Sequence, residues 1–115
     1  MTEIPQINTR EELRRFKDEK FPELKGKTTW INKAARDYGI PAPTVLNWMR
    51  EGLVRRLGTS GRRVLLDAQD VAYCAYIYKI YERHGTQGRR MFNKDGTPRM
   101  PATGPFSQEA PASSS

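Results

Sequence analysis

The sequence predicts a mainly α-helical fold with one small β-hairpin, and three observations support this. Apolar residues recur at helical spacing in four segments of the chain. Gly39 and Gly52 follow the second and third of these segments, where a glycine commonly ends a helix. Two runs rich in branched apolar residues, 53–57 and 62–66, flank a glycine-bounded loop, which is typical of a hairpin. The 115 residues leave room for one small domain.

The first predicted helix covers residues 9–20. Thr9 and Glu12 have the spacing of a capping box, which satisfies free backbone N–H groups at a helix start. Pro22 ends the helix, because proline cannot continue the hydrogen-bond ladder. The helix has few apolar residues, so we expect it to be marginal unless they dock elsewhere on the protein. These residues are Leu13, Phe16 and the nearby Phe21.

A pair of helices with a tight turn between them is predicted next. Thr28 or Thr29 caps a helix over 30–38, and Gly39 ends it. A helix over 43–51 follows, with small and apolar residues filling the wedge between the two. The opposite side of this helix stays exposed and is thin enough to enter a major groove. The residues on that side are Ala42, Thr44, Asn47 and Arg50.

The hairpin, with its loop at 58–61, carries two pairs of arginines. Because side chains alternate along a strand, each pair places one arginine on each face, so at least two arginines project from one surface. Arginines on a shared surface repel one another, and phosphate groups relieve that repulsion. The four residues are Arg55, Arg56, Arg62 and Arg63.

The last predicted helix covers residues 68–83, with Asp67 as its cap. It has apolar residues in two stripes, and a helix that is apolar on two sides must bury both. Either the N-terminal helix covers the second stripe, or a second copy of the chain does so in a homodimer. The stripes consist of Val71, Cys74, Tyr78 and Tyr81, and of Tyr73, Ile77, Ile80 and His84.

The net charge of +7 is concentrated in one part of the chain. Residues 1–26 carry six positive and six negative side chains, whereas residues 27–66 carry eight positive and two negative ones. Residues 67–85 sum to −1 and the tail to +2. A basic region confined to about forty residues is the charge distribution expected of a polyanion binder, although it also fits a solvated surface.

The composition argues against several other functions. With one cysteine (Cys74) and one histidine (His84), the chain can form neither an intramolecular disulfide nor a four-ligand zinc site. Neither residue has paired carboxylates near it in sequence, so no nucleophile–base arrangement is evident. We therefore expect no enzyme activity, no cofactor and no metal, and Cys74 is interpreted as a core thiol.

Three regions are predicted along the chain: an N-terminal arm with a short helix (1–27), a central domain (28–85) and a disordered basic tail (86–115). The tail is rich in Gly, Pro, Ser and Thr and cannot bury enough apolar area to offset its ordering entropy. The longest apolar stretch, 71–77, is too short to span a bilayer, and no apolar signal region is present. We expect a soluble, cytoplasmic protein without a membrane partner.

The pattern Ala-x-x-x-Gly-Ile-x-x-x-Thr-Val-x-x-Trp-x-x-x-Gly-Leu, which runs from Ala35 to Leu53, resembles the winged helix-turn-helix of MerR-like regulators and phage excisionases. Gly61-Arg62-Arg63-Val64 with the following Asp67-Ala68-Gln69-Asp70-Val71 is similar to the same family, and the resemblance covers roughly residues 28–72. Three positions depart from the family's pattern. Pro41 replaces a polar helix cap, Asn47 replaces a common arginine, and Val64 replaces a frequent tyrosine.

The resemblance implies a winged helix-turn-helix that binds double-stranded DNA. In the family, the helix after the turn reads the major groove, a role that falls on Thr44, Asn47 and Arg50. The hairpin is a wing that grips the neighbouring backbone or minor groove, a role that falls on Arg62 and Arg63. Because the chain becomes tail-like at residue 86, no effector domain and no small-molecule effector are expected.

The resemblance fits two biological roles equally, and rival functions stay open. A small transcriptional regulator and an excisionase-like architectural factor use the same surface, and either is bacterial or phage-encoded. One rival is a protein-interaction adaptor built on the helix-turn-helix scaffold. Another is an accessory of phage DNA packaging or replication.

Overall fold

A computed structural model of the chain describes residues 5–83 and 91–99. Within these ranges the fold is mixed α/β, with four α-helices and a three-stranded antiparallel sheet. The elements are α1 (Arg10–Lys20), β1 (Thr28–Thr29), α2 (Ile31–Tyr38), α3 (Ala42–Arg50), β2 (Arg56–Ser60), β3 (Arg63–Asp67) and α4 (Ala68–Arg83), with a 3-10 turn at Pro22–Leu24. The strand order is β1-β3-β2, so β3 is central and β2 is an edge strand.

The chain divides into two compact units. The helix–sheet unit comprises residues 14–76 and contains the sheet, α2 and α3. The terminal unit comprises residues 1–13 and 77–115, of which 5–13, 77–83 and 91–99 are described. These units cut across the predicted arm, central domain and tail, and the predicted boundary at 85/86 lies outside the described residues.

The start of α1 has most of the predicted capping box. The Glu12 N–H donates to Thr9 Oγ1 over 3.1 Å, as predicted. The Glu12 carboxylate reaches back one residue further than expected and accepts from the Asn8 N–H over 2.8 Å. Two backbone donors at the helix start are therefore satisfied by side chains.

In the helix–sheet unit, the end of α1 docks on the start of α4. The Phe16 ring lies against Tyr73 and Tyr76, with centroid separations of 6.1 and 5.9 Å, and Phe21 lies 6.3 Å from Tyr76. At the end of α1, the Gln69 amide donates to the carbonyls of Lys17 and Phe21, which also accept the backbone N–H groups of Phe21 and Leu24. The docking predicted for Phe16 and Phe21 is confirmed, and Leu13 is buried as well.

Both apolar stripes of α4 are buried within a single chain. His84, predicted on the second stripe, lies outside the described residues. A second copy of the chain is therefore not needed to cover this helix, and the dimer prediction loses the exposed apolar face on which it was based. The residues, each at most 8% exposed, are Val71, Cys74, Tyr78 and Tyr81 on one stripe and Tyr73, Ile77 and Ile80 on the other.

The predicted threonine cap of α2 is wrong. Thr28 and Thr29 form strand β1 and pair with Asp67 and Leu66 of β3. Trp30 occupies the N-cap position and makes no side-chain capping bond. The backbone groups of the threonines are used by the sheet, a partnership that depends on residues almost forty positions away.

The hairpin is also shifted from its prediction, because both strands begin later in the chain. The strands are joined by a two-residue turn, Gly61-Arg62, instead of a loop over 58–61, and Ser60 pairs with Arg63. Gly61 has a φ of +63°, and a positive φ at the first loop position is what such tight turns require. The shorter turn lets additional backbone groups pair in the ladder.

Residues 91–99 of the terminal unit are folded, so the prediction of a disordered tail is wrong for this segment. Phe92 and Pro98 form a β-bridge, and Asn93 donates its N–H to the Thr97 carbonyl over 2.9 Å. The Tyr81 hydroxyl donates to the Arg99 carbonyl. Hydrogen bonds from the Thr97 hydroxyl and N–H lower the pKa of Asp95, which stabilises the turn as a charged acceptor.

A buried carboxylate connects α1, α4 and the start of the hairpin within the helix–sheet unit. Asp70, only 3% exposed, accepts from Lys17 Nζ over 2.8 Å. Its other oxygen accepts from the Arg55 backbone N–H at 3.0 Å and from Arg55 Nε at 3.2 Å. Asp67 caps α4 as predicted, accepting the Asp70 N–H over 3.0 Å, and also binds Arg55 Nη2 at 2.6 Å. These four residues form the anchor network.

We expect Asp70→Ala to lower the free energy of unfolding by about 3 kcal/mol, because Lys17 and the Arg55 N–H then lose a buried acceptor. Urea denaturation measures the change. Asp37→Ala is the matched control, since Asp37 pairs with Lys33 where both side chains are exposed, and it should cost at most about 0.5 kcal/mol. Equal losses in the two variants would contradict this role for Asp70.

Burial raises the pKa of the Cys74 thiol, so stability should fall in alkaline solution. The unfolded chain releases this proton above about pH 8.5, whereas the folded chain retains it, and each further pH unit favours unfolding by about 1.4 kcal/mol. Denaturation curves at about pH 7.5 and 9.5 should show a loss that is smaller in Cys74→Ala by roughly 1 kcal/mol. An identical pH dependence in both proteins would show that the thiol ionises normally when folded.

Candidate functional site

The turn between α2 and α3 sets the orientation of the two helices. Gly39 follows α2 with φ 66° and ψ 40°, the left-handed conformation predicted for it. The Ile40 N–H then donates to the Ala35 carbonyl over 3.0 Å, which is the longer hydrogen bond of a Schellman motif. Ile40 is 4% exposed and so helps to fill the junction between the helices.

Helix α3 has one buried and one exposed side. Val45 and Trp48 are 1% and 3% exposed, and they face the interior as the helical spacing predicted. Asn47 and Arg50 are exposed, one turn apart, on the other side. These two of the side chains predicted to read DNA are therefore accessible from solvent. Ala42 and Thr44, at the start of the same helix, are half-buried.

Sequence reasoning missed one exposed residue on this side of α3. Pro43 is exposed four positions before Asn47, so the two share a helix face. Periodicity indicated this position, but proline was considered only for its effect on the helix start. We call the surface of Pro43, Asn47 and Arg50, together with the half-buried Thr44, the α3 face.

Three of the four predicted hairpin arginines lie on the observed hairpin, each at a different place. Arg56 is the first residue of β2 and is exposed, Arg62 is exposed in the turn, and Arg63 is the first residue of β3. The prediction from strand alternation does not apply to Arg55 and Arg62, because neither residue lies within a strand. The hairpin thus presents Arg62 and Arg63 at its tip and Arg56 at the far end of the same strand ladder.

Arg55 differs from the other three because its charge is already balanced. Its guanidinium binds Asp67 and Asp70 in the anchor network. The attraction of Asp70, followed by its hydrogen bond and the weaker effect of Asp67, raises the pKa of Arg55. These acids lie 12 and 15 positions further along the chain, so only the fold brings them to this arginine.

Arg63 makes a contact that sequence reasoning missed. Its guanidinium carbon lies 4.2 Å from the centroid of the Trp30 ring, within the range of a cation–π interaction. Trp30 follows β1, whose residues pair with the end of β3, and this places the indole beside the sheet. Arg63 is therefore restrained in orientation, whereas Arg62 is not restrained by an aromatic contact within the described residues.

Most cations of the basic segment 27–66 have no acid partner within residues 5–83 and 91–99. Lys33 pairs with Asp37 at 2.6 Å, and Arg55 belongs to the anchor network. Among the described residues, no ion pair involves any of the other six. All six side chains are exposed, and they are Lys27, Arg36, Arg50, Arg56, Arg62 and Arg63.

Two other kinds of site find no support in residues 5–83 and 91–99. No three His, Cys, Asp or Glu side chains of these ranges lie close enough together to hold a metal ion. None of their helices has both the length and the apolar character needed to cross a bilayer. The described surface of the helix–sheet unit instead carries mainly cations and exposed polar groups.

In comparisons with protein-family models, with curated proteins and with solved structures, no match to the chain is found. Its function is therefore inferred from its own residues and their arrangement.

The stacking of Arg63 on Trp30 predicts different effects for two neighbouring arginines. Arg63→Ala should lower the free energy of unfolding by roughly 0.5–1 kcal/mol, because the cation–π contact is lost. Arg62→Ala, at an exposed turn position, is the matched control and should leave it unchanged within about 0.5 kcal/mol. Urea denaturation measures both, and Trp30→Leu should remove the difference. A difference that persists in Trp30→Leu would mean that the contact is not its cause.

Proposed function

We propose that the chain binds double-stranded DNA through a winged helix-turn-helix. In this proposal α2 and α3 are the two helices of the motif, the α3 face enters the major groove, and the β2–β3 hairpin is the wing. One observation carries it: α3 buries Val45 and Trp48 and exposes Asn47 and Arg50. The same unit contains a hairpin with three exposed arginines that have no acid partner among the described residues.

The electrostatics of the basic segment support a polyanion as the ligand. Six exposed cations without a described acid partner repel one another in the free protein. Duplex DNA carries one negative charge per about 1.7 Å of its axis, and each neutralised phosphate releases condensed counterions. Binding therefore relieves the repulsion and gains entropy. We assign the phosphate contacts of the wing to Arg56, Arg62 and Arg63.

The α3 face also has groups suited to reading bases. The Asn47 amide can donate to and accept from the edge of an adenine, and Arg50 matches the two acceptors of a guanine. Thr44 can bond to either, while the Ala42 methyl suits the methyl group of a thymine. All four residues lie on α3, so the bases that they would read are close neighbours along the groove. Sequence-specific binding is part of the proposal.

DNA binding through this surface serves more than one biological role. We propose a small transcriptional regulator or an excisionase-like architectural factor, acting in the cytoplasm on the nucleoid. Both roles use the proposed surface and differ in the arrangement of the DNA sites. The homodimer through α4 stays a prediction without an exposed apolar face to support it.

A titration of a mixed-sequence duplex, followed by fluorescence anisotropy at about 50 and 200 mM salt, tests the proposal. Wild type should bind at low salt and lose affinity steeply as salt rises. Arg62→Ala/Arg63→Ala should bind more weakly, and the slope of log affinity against log salt should become shallower by about 1.8, or 0.9 for each lost phosphate contact.

The matched control is Arg14→Ala/Arg15→Ala. Like the wing pair, these are adjacent arginines with exposed side chains, but they lie on α1. This variant loses the same net charge, so it should bind with nearly the wild-type slope if the contacts are local. Equal weakening by both double variants would indicate a general charge effect. No duplex affinity at low salt would contradict DNA binding and favour the adaptor function.

A further inference from the structure

An exposed leucine lies on the hairpin, next in sequence to Arg56 and at the end of the ladder opposite Arg62 and Arg63. Leu57 is 48% exposed, and it is the exposed large hydrophobic residue of the described ranges. It directly follows Arg56, and the turn arginine and Arg63 lie on the same hairpin. Single exposed apolar residues are common on proteins, so its exposure alone carries no argument. Its position in the strand supplies the second observation.

Leu57 sits at a break in the strand pairing. Arg56 pairs with Leu66 and Gly58 pairs with Leu65, so the residue between them has no partner across the sheet. Bulges of this kind redirect a side chain and are frequent near functional sites. Gly58, with a φ of +145°, adopts a conformation that other residues rarely reach. The strand is thus built so that Leu57 is turned out of the ladder.

The residues around Leu57 indicate which class of partner it can contact. Burying a leucine requires apolar surface, and the adjacent Arg56, with the arginines at the hairpin tip, favours an anionic partner. The minor groove of DNA offers both, because a stack of base pairs lies between two rows of phosphates. Proteins that deform DNA insert apolar side chains between base steps there and grip the backbone with arginine or lysine.

We propose that Leu57 is a wedge that enters the minor groove, partly unstacks one base step and bends the duplex. Arg56 holds a phosphate next to that step, and the arginines of the turn hold the strand further along. This inference rests on the proposed DNA binding and adds to it a mechanical activity and a preference for deformable sequence. Pyrimidine–purine steps such as TA unstack easily, whereas A-tracts are stiff, so the wedge favours duplexes rich in TA steps.

The test measures bending and binding separately on two duplexes of equal length, one rich in TA steps and one an A-tract. Energy transfer between dyes on the two duplex ends reports bending, and anisotropy reports affinity. Wild type should shorten the end-to-end distance and bind the TA-rich duplex more tightly. Leu57→Ala should lose the bend and the sequence preference, and its affinity for the TA-rich duplex should fall about tenfold.

Two further variants separate a wedge from a structural effect. Leu57→Met keeps a long apolar side chain and should retain most of the bend. Thr59→Ala changes an exposed residue of the same strand and should behave as wild type. The salt slope should be the same for all four proteins, because the arginines are untouched. A slope altered in Leu57→Ala would indicate a displaced wing and overturn the wedge.

The outcomes distinguish this inference from the proposed function. If wild type fails to bind either duplex at low salt, both are wrong. If wild type binds without shortening the end-to-end distance, or if Leu57→Ala bends the duplex as wild type does, DNA binding stands and the wedge is wrong. Loss of bending in Leu57→Ala with recovery in Leu57→Met supports the wedge.

Discussion

The arrangement of the helix–sheet unit depends on one buried carboxylate. Asp70 accepts from Lys17 of α1 and from both the backbone and the side chain of Arg55, just before β2. A charge that is almost fully buried requires partners, since an unpaired one costs several kcal/mol of desolvation. Two helices and the start of the hairpin are therefore held at one point. The position of Asp70 therefore sets where the hairpin, with its arginines, begins.

The same carboxylate divides the arginines of the basic segment into two groups. The charge of Arg55 is balanced by ion pairs with Asp67 and Asp70, so this residue serves mainly to anchor the hairpin. Arg56, Arg62 and Arg63 have no such partner among the described residues, and solvent and salt screen their repulsion in the free protein. Two arginines that are neighbours in sequence, Arg55 and Arg56, thus have different physical environments. Counting charges along the chain cannot separate them.

Two apolar side chains, Trp30 and Leu57, also contribute to the surface that carries these arginines. Trp30 restrains the guanidinium of Arg63, while Leu57 stands exposed at the irregular step between β2 and β3. Both depend on β3, the central strand, because β1 leads to the tryptophan on one side and β2 carries the leucine on the other. The strand order of this small sheet therefore determines which side chains lie near Arg56 and Arg63.

The sequence by itself determined the features whose causes are local. It predicted the left-handed Gly39, the cap at Asp67, the boundaries of α2, α3 and α4 to within about one residue, and the burial of Val45 and Trp48. These follow from helical spacing and from hydrogen bonds spanning a few residues. Only the tertiary structure decided that Thr28–Thr29 pair with β3, that Arg55 binds Asp70, that Arg63 stacks on Trp30 and that residues 91–99 fold. The first three contacts need a partner at least 15 positions away along the chain, and residues 91–99 are joined to α4 by the hydrogen bond from Tyr81 to the Arg99 carbonyl. Local periodicity carries no information about such partners.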